Sequence, residues 1–553
     1  MKKLNKYLLA IISLAFVFTA CDEEEKLIDQ LEDANPIPGP VTGDPGALNL
    51  SNYVAIGNSL TAGFQDGAMY TDGQEQSFPA LLAKQFQTEG VGGGEFGQPD
   101  INSVNGYSSP GADGVPGTSD DLGRFELSLS LLAPVPTQGE LFGPFTGDKS
   151  SIRNFGVPGM RAGDIADPSY GVTSPLYGRF ATNPGVSTVL GDALAANPTF
   201  FTYWLGNNDI LGYAAGGGAN DAAITPIGDV QAALATGLGA MVQTGAQGVV
   251  MTVPLIVTIP YFRAVPYNAI PLTDQALVNQ LNGAFAGFNA ILDALVAQNI
   301  ITSDDAAARK VTYSLGGNPI LMEDEYLTDL GPFFDLLLSI NAITDAQRAA
   351  IEPYRQSRPA TADDLPVLAS ATVLGTPVGG NPQLLVGITV PAPDALILSA
   401  TEVQITVAGR ASINATIAGV VEAINAQAGA PVLTLVDTQP AIADLAGLDA
   451  QTAAGLVDPS LIPGSPFPAI PALRTMANNA AARADGVLGI EEGGFNLAPD
   501  FSPNGVYSTD GVHPNPRGAA LFANEIINTL NATKGSNIPL VDVLVLRGVI
   551  SRN

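Results

Sequence analysis

The chain has 553 residues, of which 46% are apolar and only 14% are charged, a composition typical of a globular protein rather than a disordered one. It contains 53 acidic residues against 23 Lys and Arg, and this negative charge argues against a nucleic-acid partner. One Cys and one His in the whole chain exclude a disulfide framework and a zinc site built from Cys and His. The length allows either several domains or one large α/β domain with insertions.

The first 20 residues have the layout of a secretory signal, with three early Lys residues, an apolar stretch and the small residues Thr19 and Ala20. The single cysteine, Cys21, follows directly. This arrangement resembles the lipobox of bacterial lipoproteins, in which segment 1–20 is removed and the cysteine is acylated, for example with palmitate. An ordinary signal peptide or a short membrane anchor, with Cys21 there by chance, is the alternative. The resemblance implies a cell-envelope protein that is lipid-anchored at Cys21 to a membrane, the outer membrane or the cell surface.

An acidic run, 22–25, follows the cysteine, and residues 27–47 are rich in Pro, Gly and Asp. The acidic run resembles the export signal of surface-displayed lipoproteins, and a solvated spacer is the alternative. Segment 21–48 is therefore predicted to be a flexible tether. The most apolar later segment, 248–260, is too short to span a bilayer and is interrupted by Pro254, so it predicts a buried strand.

Beyond the tether, short apolar segments alternate with helical patterns. Strands are predicted at 53–56, 152–155, 199–205 and 431–436, with another that begins at about Val249, and helices at 77–86, 229–244, 274–298, 399–428 and 517–530. Apolar strands that alternate with helices are typical of a parallel sheet covered on both faces. The pattern predicts a three-layer α/β/α domain over 49–535, followed by a C-terminal tail at 536–553.

Two stretches interrupt this alternation and are predicted to be insertions. The first, at about 90–149, is dense in Gly, Pro and Asp and is expected to consist of loops. The second covers about 303–430. Within it, Ser399 and Glu402 form the capping-box pattern of a helix that can run to Ala428, and Gly429 can end that helix.

Several common motifs are missing. The chain has no G-x-S-x-G elbow and no Walker A loop. A G-x-G-x-x-G pattern at 92–97 lies in the first insertion and does not follow a strand, so it does not predict a dinucleotide site. No cofactor is predicted.

Polar residues follow three of the predicted strands and precede the last helix. Ser59 leaves the first strand, Gly159 lies in the turn after the second, and Asn208 follows the third. Asp510 and His513, the only histidine, stand just before the closing helix. Each has a structural alternative: a serine that caps a helix, a turn glycine, cap residues, or a histidine hydrogen-bonded to its neighbour. Their joint occurrence favours a functional site, because ligands of open α/β sheets bind where strands end.

The order of these four segments resembles that of the SGNH (GDSL-type) hydrolases. The resemblance rests on residues 57–60 (GNSL), Gly159, 206–209 (GNND) and 510–514 (DGVHP), and it covers the core from about 49 to 532. Asn58 departs from the family, which usually has Asp there. The resemblance implies a flavodoxin-like α/β/α fold and hydrolysis of carboxylic esters by a catalytic triad of Ser59, Asp510 and His513. The oxyanion hole would consist of the backbone amides of Ser59 and Gly159 and the side-chain amide of Asn208.

The substrate stays open between lipids, short-chain esters and acetylated glycans, and the apolar second insertion favours a lipidic acyl chain. The alternatives are a carbohydrate O-acetylesterase and a non-catalytic surface lipoprotein that binds a glycan or a partner on the same fold. The acidic loop with Asp113, Asp120 and Asp121 is a weak candidate for binding Ca²⁺, and a solvated turn is the alternative.

Overall fold

A computed structural model of the chain describes residues 41–131, 133–439, 490–492 and 495–552. The signal segment, Cys21 and the acidic run lie outside the described residues. The centre of the structure is a sheet of five strands, named here in chain order: β1 (Tyr53–Gly57), β2 (Asn154–Gly156), β3 (Phe200–Trp204), β4 (Gln247–Met251) and β5 (Leu433–Val436).

All neighbouring strands of this sheet are parallel, and their spatial order is β2-β1-β3-β4-β5. This is the 2-1-3-4-5 order of doubly wound sheets, in which the chain winds outward in both directions from the first strand. The switch point lies between β1 and β3, and ligands of such folds bind at the carboxyl ends of these strands. The predicted parallel α/β architecture is confirmed.

The main helices are α1 (Ser59–Ala62), α2 (Phe78–Phe86), α3 (Val189–Ala195), α4 (Asn208–Ala215), α5 (Ile227–Gln243), α6 (Gln275–Ala297), α7 (Ala400–Ala428) and α8 (Pro516–Lys534). Shorter helices cover Thr71–Glu75, Tyr170–Thr173, Pro175–Gly178, Ser303–Arg309, Gly331–Ser339 and Asp345–Ile351. The predicted start of α7 is confirmed, because Ser399 and Glu402 form the capping box and Gly429 ends the helix in a left-handed conformation.

Helices cover both faces of the sheet, as two adjacent residues of β3 demonstrate. Trp204 packs edge-to-face against Phe78 of α2 and Phe522 of α8. The preceding residue, Tyr203, has its ring against Gly237 of α5. Because successive side chains of a strand point to opposite faces, α2 and α8 cover one face and α5 covers the other.

A second apolar cluster is separate from the one around the sheet and draws its residues from 270–397. It includes α6, which the sequence analysis placed with the sheet, whereas α7 packs on the sheet through Val403, Ile413 and Ile417. The boundaries predicted for the second insertion, 303–430, therefore differ from those of this cluster. Periodicity alone identifies an apolar helix but does not indicate which of two cores it covers.

The region 90–149 is not made of loops alone, contrary to the prediction. Strands Leu122–Ser128 and Ala133–Gln138 form an antiparallel pair, which Ser551–Arg552 of the C-terminal tail extends. Short strand pairs also join Ile270–Leu272 to Gly316–Asn318, Leu321–Glu323 to Ser357–Pro359, Leu365–Pro366 to Ile397–Leu398, Pro377–Val378 to Asn381–Leu385, and Ile490–Glu492 to Phe495–Leu497.

The last residues of the predicted tether are bound to the domain. Asp44 and Asn537 exchange two backbone hydrogen bonds, of 3.2 and 2.8 Å, and Leu48 is buried. A flexible tether that extends to residue 48, as predicted, therefore reaches too far. Among the described residues, no helix combines the length and the apolar character needed to cross a membrane.

Candidate active site

Ser59 is the first residue of α1, directly beyond the end of β1. The side chain of Asn58 caps this helix by accepting a hydrogen bond of 3.0 Å from the Leu60 amide. Asn serves as a helix cap about as well as Asp, so the departure at residue 58 preserves the local structure. A side chain at Gly57 would place its Cβ 2.1 Å from Thr61 Oγ1, so the turn into α1 requires glycine there.

Asp510 and His513 are joined by a tight turn. Asp510 Oδ1 accepts the backbone amides of Val512 and His513, at 2.8 and 2.9 Å, and Asp510 Oδ2 lies 2.9 Å from His513 Nδ1. Gly511 between them has φ +73°, and a Cβ there would lie 3.0 Å from the Tyr261 amide nitrogen. The spacing of three residues therefore lets one carboxylate fix both the backbone and the ring of His513.

The electrostatic state of Asp510 suits this role. Burial tends to raise its pKa, but the charge of His513 and the hydrogen bonds from that ring and from the two amides outweigh burial and hold the pKa at about 2. Asp510 is therefore ionised at neutral pH and accepts a hydrogen bond from the N–H at Nδ1 of His513. This leaves Nε2 as the nitrogen that is available to act as a base.

One pocket brings three of the predicted residues together. Ser59, Asn208 and His513 line it, and its remaining wall is mostly apolar, with Leu60, Leu211, Pro254, Ile256, Ile259, Val512, Pro514 and Phe522. The ring of Phe64 lies 4.9 Å from that of His513. Among the described residues, no hydrogen bond joins Ser59 to His513. Hydrogen bonds between a nucleophile and its base are often long in ligand-free active sites and shorten when substrate binds.

Asn208 begins α4 at the carboxyl end of β3. Its side-chain nitrogen donates to the carbonyl of Met160, at 3.0 Å, and the carboxylate of the next residue, Asp209, accepts the amide of Ala162. An amide group has two hydrogens, so Asn208 keeps one donor for a ligand. These bonds join the loops that follow β2 and β3.

Gly159 lies in the turn beside Met160, with φ +80° and open space where a Cβ would stand. It is exposed and is not among the residues that line the pocket. The structure therefore brings Ser59, Asn208, Asp510 and His513 together, whereas Gly159 is connected to the site only through the following residue, Met160, whose carbonyl Asn208 binds.

Asp66, which was not predicted from the sequence, connects the two halves of the site. Its carboxylate accepts the amide and the hydroxyl of Thr509, at 2.9 and 2.8 Å, and the hydroxyl of Tyr70 at 2.7 Å. The next residue, Gly67, donates its amide to Asp510 Oδ2 at 3.0 Å. The only sequence signal was an Asp-Gly pair, which is typical of any turn.

The weak Ca²⁺ candidate is a loop that hydrogen-bonds to itself. Asp120 accepts the amide of Asp113 and the hydroxyl of Thr118, and Asp121 accepts the amide of Gly117. Among the described residues, the acidic side chains that cluster at metal-ligand spacing are three others, and Asp113, Asp120 and Asp121 do not form such a group.

Searches against protein-family models, curated proteins and solved structures gave no match to this chain. The fold and the site geometry are therefore the observations from which a function is inferred.

Proposed function

We propose that this protein is a membrane-anchored serine esterase or lipase of the SGNH (GDSL-type) hydrolase family, with Ser59 as nucleophile. The observation that carries the proposal is the shared pocket of Ser59 and His513, together with the 2.9 Å contact between His513 Nδ1 and Asp510. A serine hydroxyl is a weak nucleophile at neutral pH and needs a base held in place by a third group. In this proposal the sheet is the α/β/α core of that family, enlarged by insertions.

The reaction proceeds in two steps. Ser59 Oγ attacks the ester carbonyl while its proton passes to His513 Nε2, and the protonated ring then delivers that proton to the leaving alcohol. Water attacks the resulting acyl-enzyme, again with His513 as base, and releases the acid. Asp510 stays ionised throughout and stabilises the imidazolium, in agreement with its low pKa.

The negative oxygen formed during each attack needs donors aimed at it. The backbone amide of Ser59, the amide of Gly159 and the free hydrogen of Asn208 are the proposed donors. The bond from Asn208 to Met160 supports this assignment, because it joins the Asn208 side chain to the loop that contains Gly159.

A fluorophosphonate probe tests the proposal directly, because it reacts with activated serines and not with structural ones. Wild-type protein should be labelled at Ser59, and Ser59→Ala should not be labelled. Ser150, which is exposed and distant in sequence, supplies the matched control, and Ser150→Ala should label as wild type does. A wild-type protein that resists the probe would favour the non-catalytic binding lipoprotein on the same fold.

The second candidate, a carbohydrate O-acetylesterase, is favoured by the size of the pocket. Its cavity volume is about 40 Å³, whereas one water needs on the order of 10–15 Å³. This space holds an acetyl group, whereas a lipidic chain would have to extend beyond it. A series of aryl esters from acetate to laurate, run beside acetylated glycans, distinguishes the two, since a lipase prefers the long chains and an acetylesterase prefers acetate.

The membrane anchor is a separate part of the proposal and rests on the position of Cys21. Incorporation of a labelled palmitate analogue into the wild-type protein, and its loss in Cys21→Ala, would support it. A wild-type protein that does not incorporate the palmitate analogue and is found in the soluble fraction would contradict it.

A further inference from the structure

Three carboxylates outside the pocket converge on one point. Glu325 lies in the loop after Leu321–Glu323, Asp394 precedes α7, and Glu402 is in the first turn of α7. Their carboxylate oxygens lie within 4.8 Å of one another, the one such group found among the described residues. We call these three residues the acidic cluster.

The most buried member, Glu402, has a carboxylate oxygen without a hydrogen-bond partner. Glu402 is 0% exposed, and its Oε2 accepts the Ser399 amide at 2.6 Å as part of the capping box. Its Oε1 is buried and has no hydrogen-bond partner, and the same is true of Asp394 Oδ1. Buried polar atoms normally have partners, so two orphaned carboxylate oxygens at one point indicate a missing ligand.

The end of α4 closes the other side of the acidic cluster. The buried Tyr213 hydroxyl lies beside that of Tyr326, and after burial itself the charge of Glu402 is the main influence that raises the pKa of Tyr213. A Cβ at Gly218 would lie 2.1 Å from Glu402 Oε1, so the backbone approaches this oxygen as closely as glycine allows. The backbone at Gly218 thus packs directly against the Glu402 carboxylate.

The charge of the acidic cluster is not balanced by protein groups. Among the described residues, no Arg, Lys or His forms an ion pair with its three members, and the neighbouring Asp324 is bound by Arg358. Burial, followed by the charge of Glu325 and a hydrogen bond with Glu325, raises the pKa of Asp394 to about 7. Burial, followed by the charges of Asp394 and Glu325, raises the pKa of Glu402 to about 9. The repulsion between these charges is relieved by a proton or by a cation.

We infer that the acidic cluster is a Ca²⁺ site. Carboxylate oxygens are hard ligands, and Ca²⁺ binds them at about 2.3–2.6 Å, so ligands on opposite sides of one ion lie up to about 5 Å apart. Mg²⁺, with bonds of about 2.1 Å, usually keeps several waters and takes only one or two carboxylates, so Ca²⁺ is the better match to three protein carboxylates. Water completes the coordination on the side of the exposed Glu325.

The ion would join two parts of the protein. Glu325 and Asp394 belong to the region of the second apolar cluster, whereas Glu402 and Tyr213 belong to helices of the main core. Tyr213 is on the same helix as Asn208, so the ion would fix the far end of the helix that begins at the pocket. The site is independent of the proposed esterase activity and is tested without it.

Calorimetric titration of the EDTA-treated full-length chain with CaCl₂ tests the inference, beside thermal unfolding with and without Ca²⁺. We expect one saturable site and a higher Tm with Ca²⁺, and weaker binding with MgCl₂. Glu325→Gln changes an exposed residue and leaves the fold intact, so it should weaken Ca²⁺ binding on the order of tenfold or more, as should Asp394→Asn. Asp120→Asn, in the other acidic loop, is the control and should bind Ca²⁺ as wild type does.

Three results would overturn the inference: no heat and no change of Tm with Ca²⁺, tighter binding of Mg²⁺ than of Ca²⁺, or wild-type Ca²⁺ affinity in both Glu325→Gln and Asp394→Asn. The first result would mean that shared protons balance the cluster. The third result, with a loss of affinity in Asp120→Asn, would place the ion in the loop at 113–121.

Discussion

The Asp66 carboxylate accepts two hydrogen bonds from Thr509, one from the backbone amide at 2.9 Å and one from the hydroxyl at 2.8 Å, although the two residues are 443 positions apart. Asp66 follows the helix that begins with Ser59, and Thr509 immediately precedes Asp510. The loop after the proposed nucleophile therefore supports the loop that presents the proposed base. This contact explains how a nucleophile and a base from opposite ends of the described chain are held at a fixed distance from each other.

Replacement of Asp66 should disturb the site without touching the pocket. Asp66→Ala removes the acceptor of Thr509 and Tyr70, and we expect turnover of ester substrates to fall about tenfold or more with little change in KM. Asp66→Asn keeps one acceptor oxygen and should restore part of the activity. Burial raises the pKa of Asp66, so the neutral amide is tolerated there. Equal activity of Asp66→Ala and wild type would show that Asp66 does not position the site.

Asn208→Ala should lower kcat by about 10²–10³, because one donor to the negative oxygen is lost at a site where water cannot replace it well. Steady-state kinetics on a short aryl ester measures this. Asn183→Ala, at an exposed position, is the matched control and should leave kcat unchanged. A loss of only a few-fold in Asn208→Ala would assign this side chain a structural role through Met160.

The Asp510 carboxylate should stabilise the folded protein in a pH-dependent way. Its pKa in the folded protein, about 2, is below the ordinary value of 3.8, so its contribution is present above about pH 4 and is lost as pH falls toward 2. The difference corresponds to roughly 2 kcal/mol in the free energy of unfolding. We expect Asp510→Asn to be less stable than wild type by about that amount at pH 7.

Chemical denaturation of wild type and Asp510→Asn at pH 7 and at pH 3 measures the effect. The gap between the two proteins should narrow at the lower pH. A gap that is the same at both pH values would mean that the ionised carboxylate does not contribute through its contacts with His513 and the turn amides.

Gly511→Ala should damage the site more than a glycine replacement of the same backbone type elsewhere. Gly511 and Gly114 have similar φ values, +73° and +69°, but a Cβ meets the Tyr261 amide at 3.0 Å at the first position and nothing within 4 Å at the second. Both variants lose about 1 kcal/mol to the left-handed backbone, and only Gly511→Ala also displaces the turn of His513. Activity per folded molecule should therefore fall in Gly511→Ala alone, and equal losses in both would contradict this.

The features that the sequence predicted correctly are those set by neighbours along the chain. The Ser399–Glu402 capping box depends on hydrogen bonds between residues three positions apart. The apolar strands that alternate with helices likewise indicated a parallel sheet. Such patterns are visible in sequence because backbone geometry fixes which near neighbours meet.

The tertiary structure alone decided what lies together from distant parts of the chain. It placed α6 in the second apolar cluster and α7 on the sheet, joined Asp66 to Thr509, and gathered Glu325, Asp394 and Glu402 at the end of α4. None of these contacts leaves a periodic signal, because the free energy that selects them comes from packing and burial summed over the whole fold. The sequence alone thus determined which residues could carry chemistry, and the fold determined which of them meet.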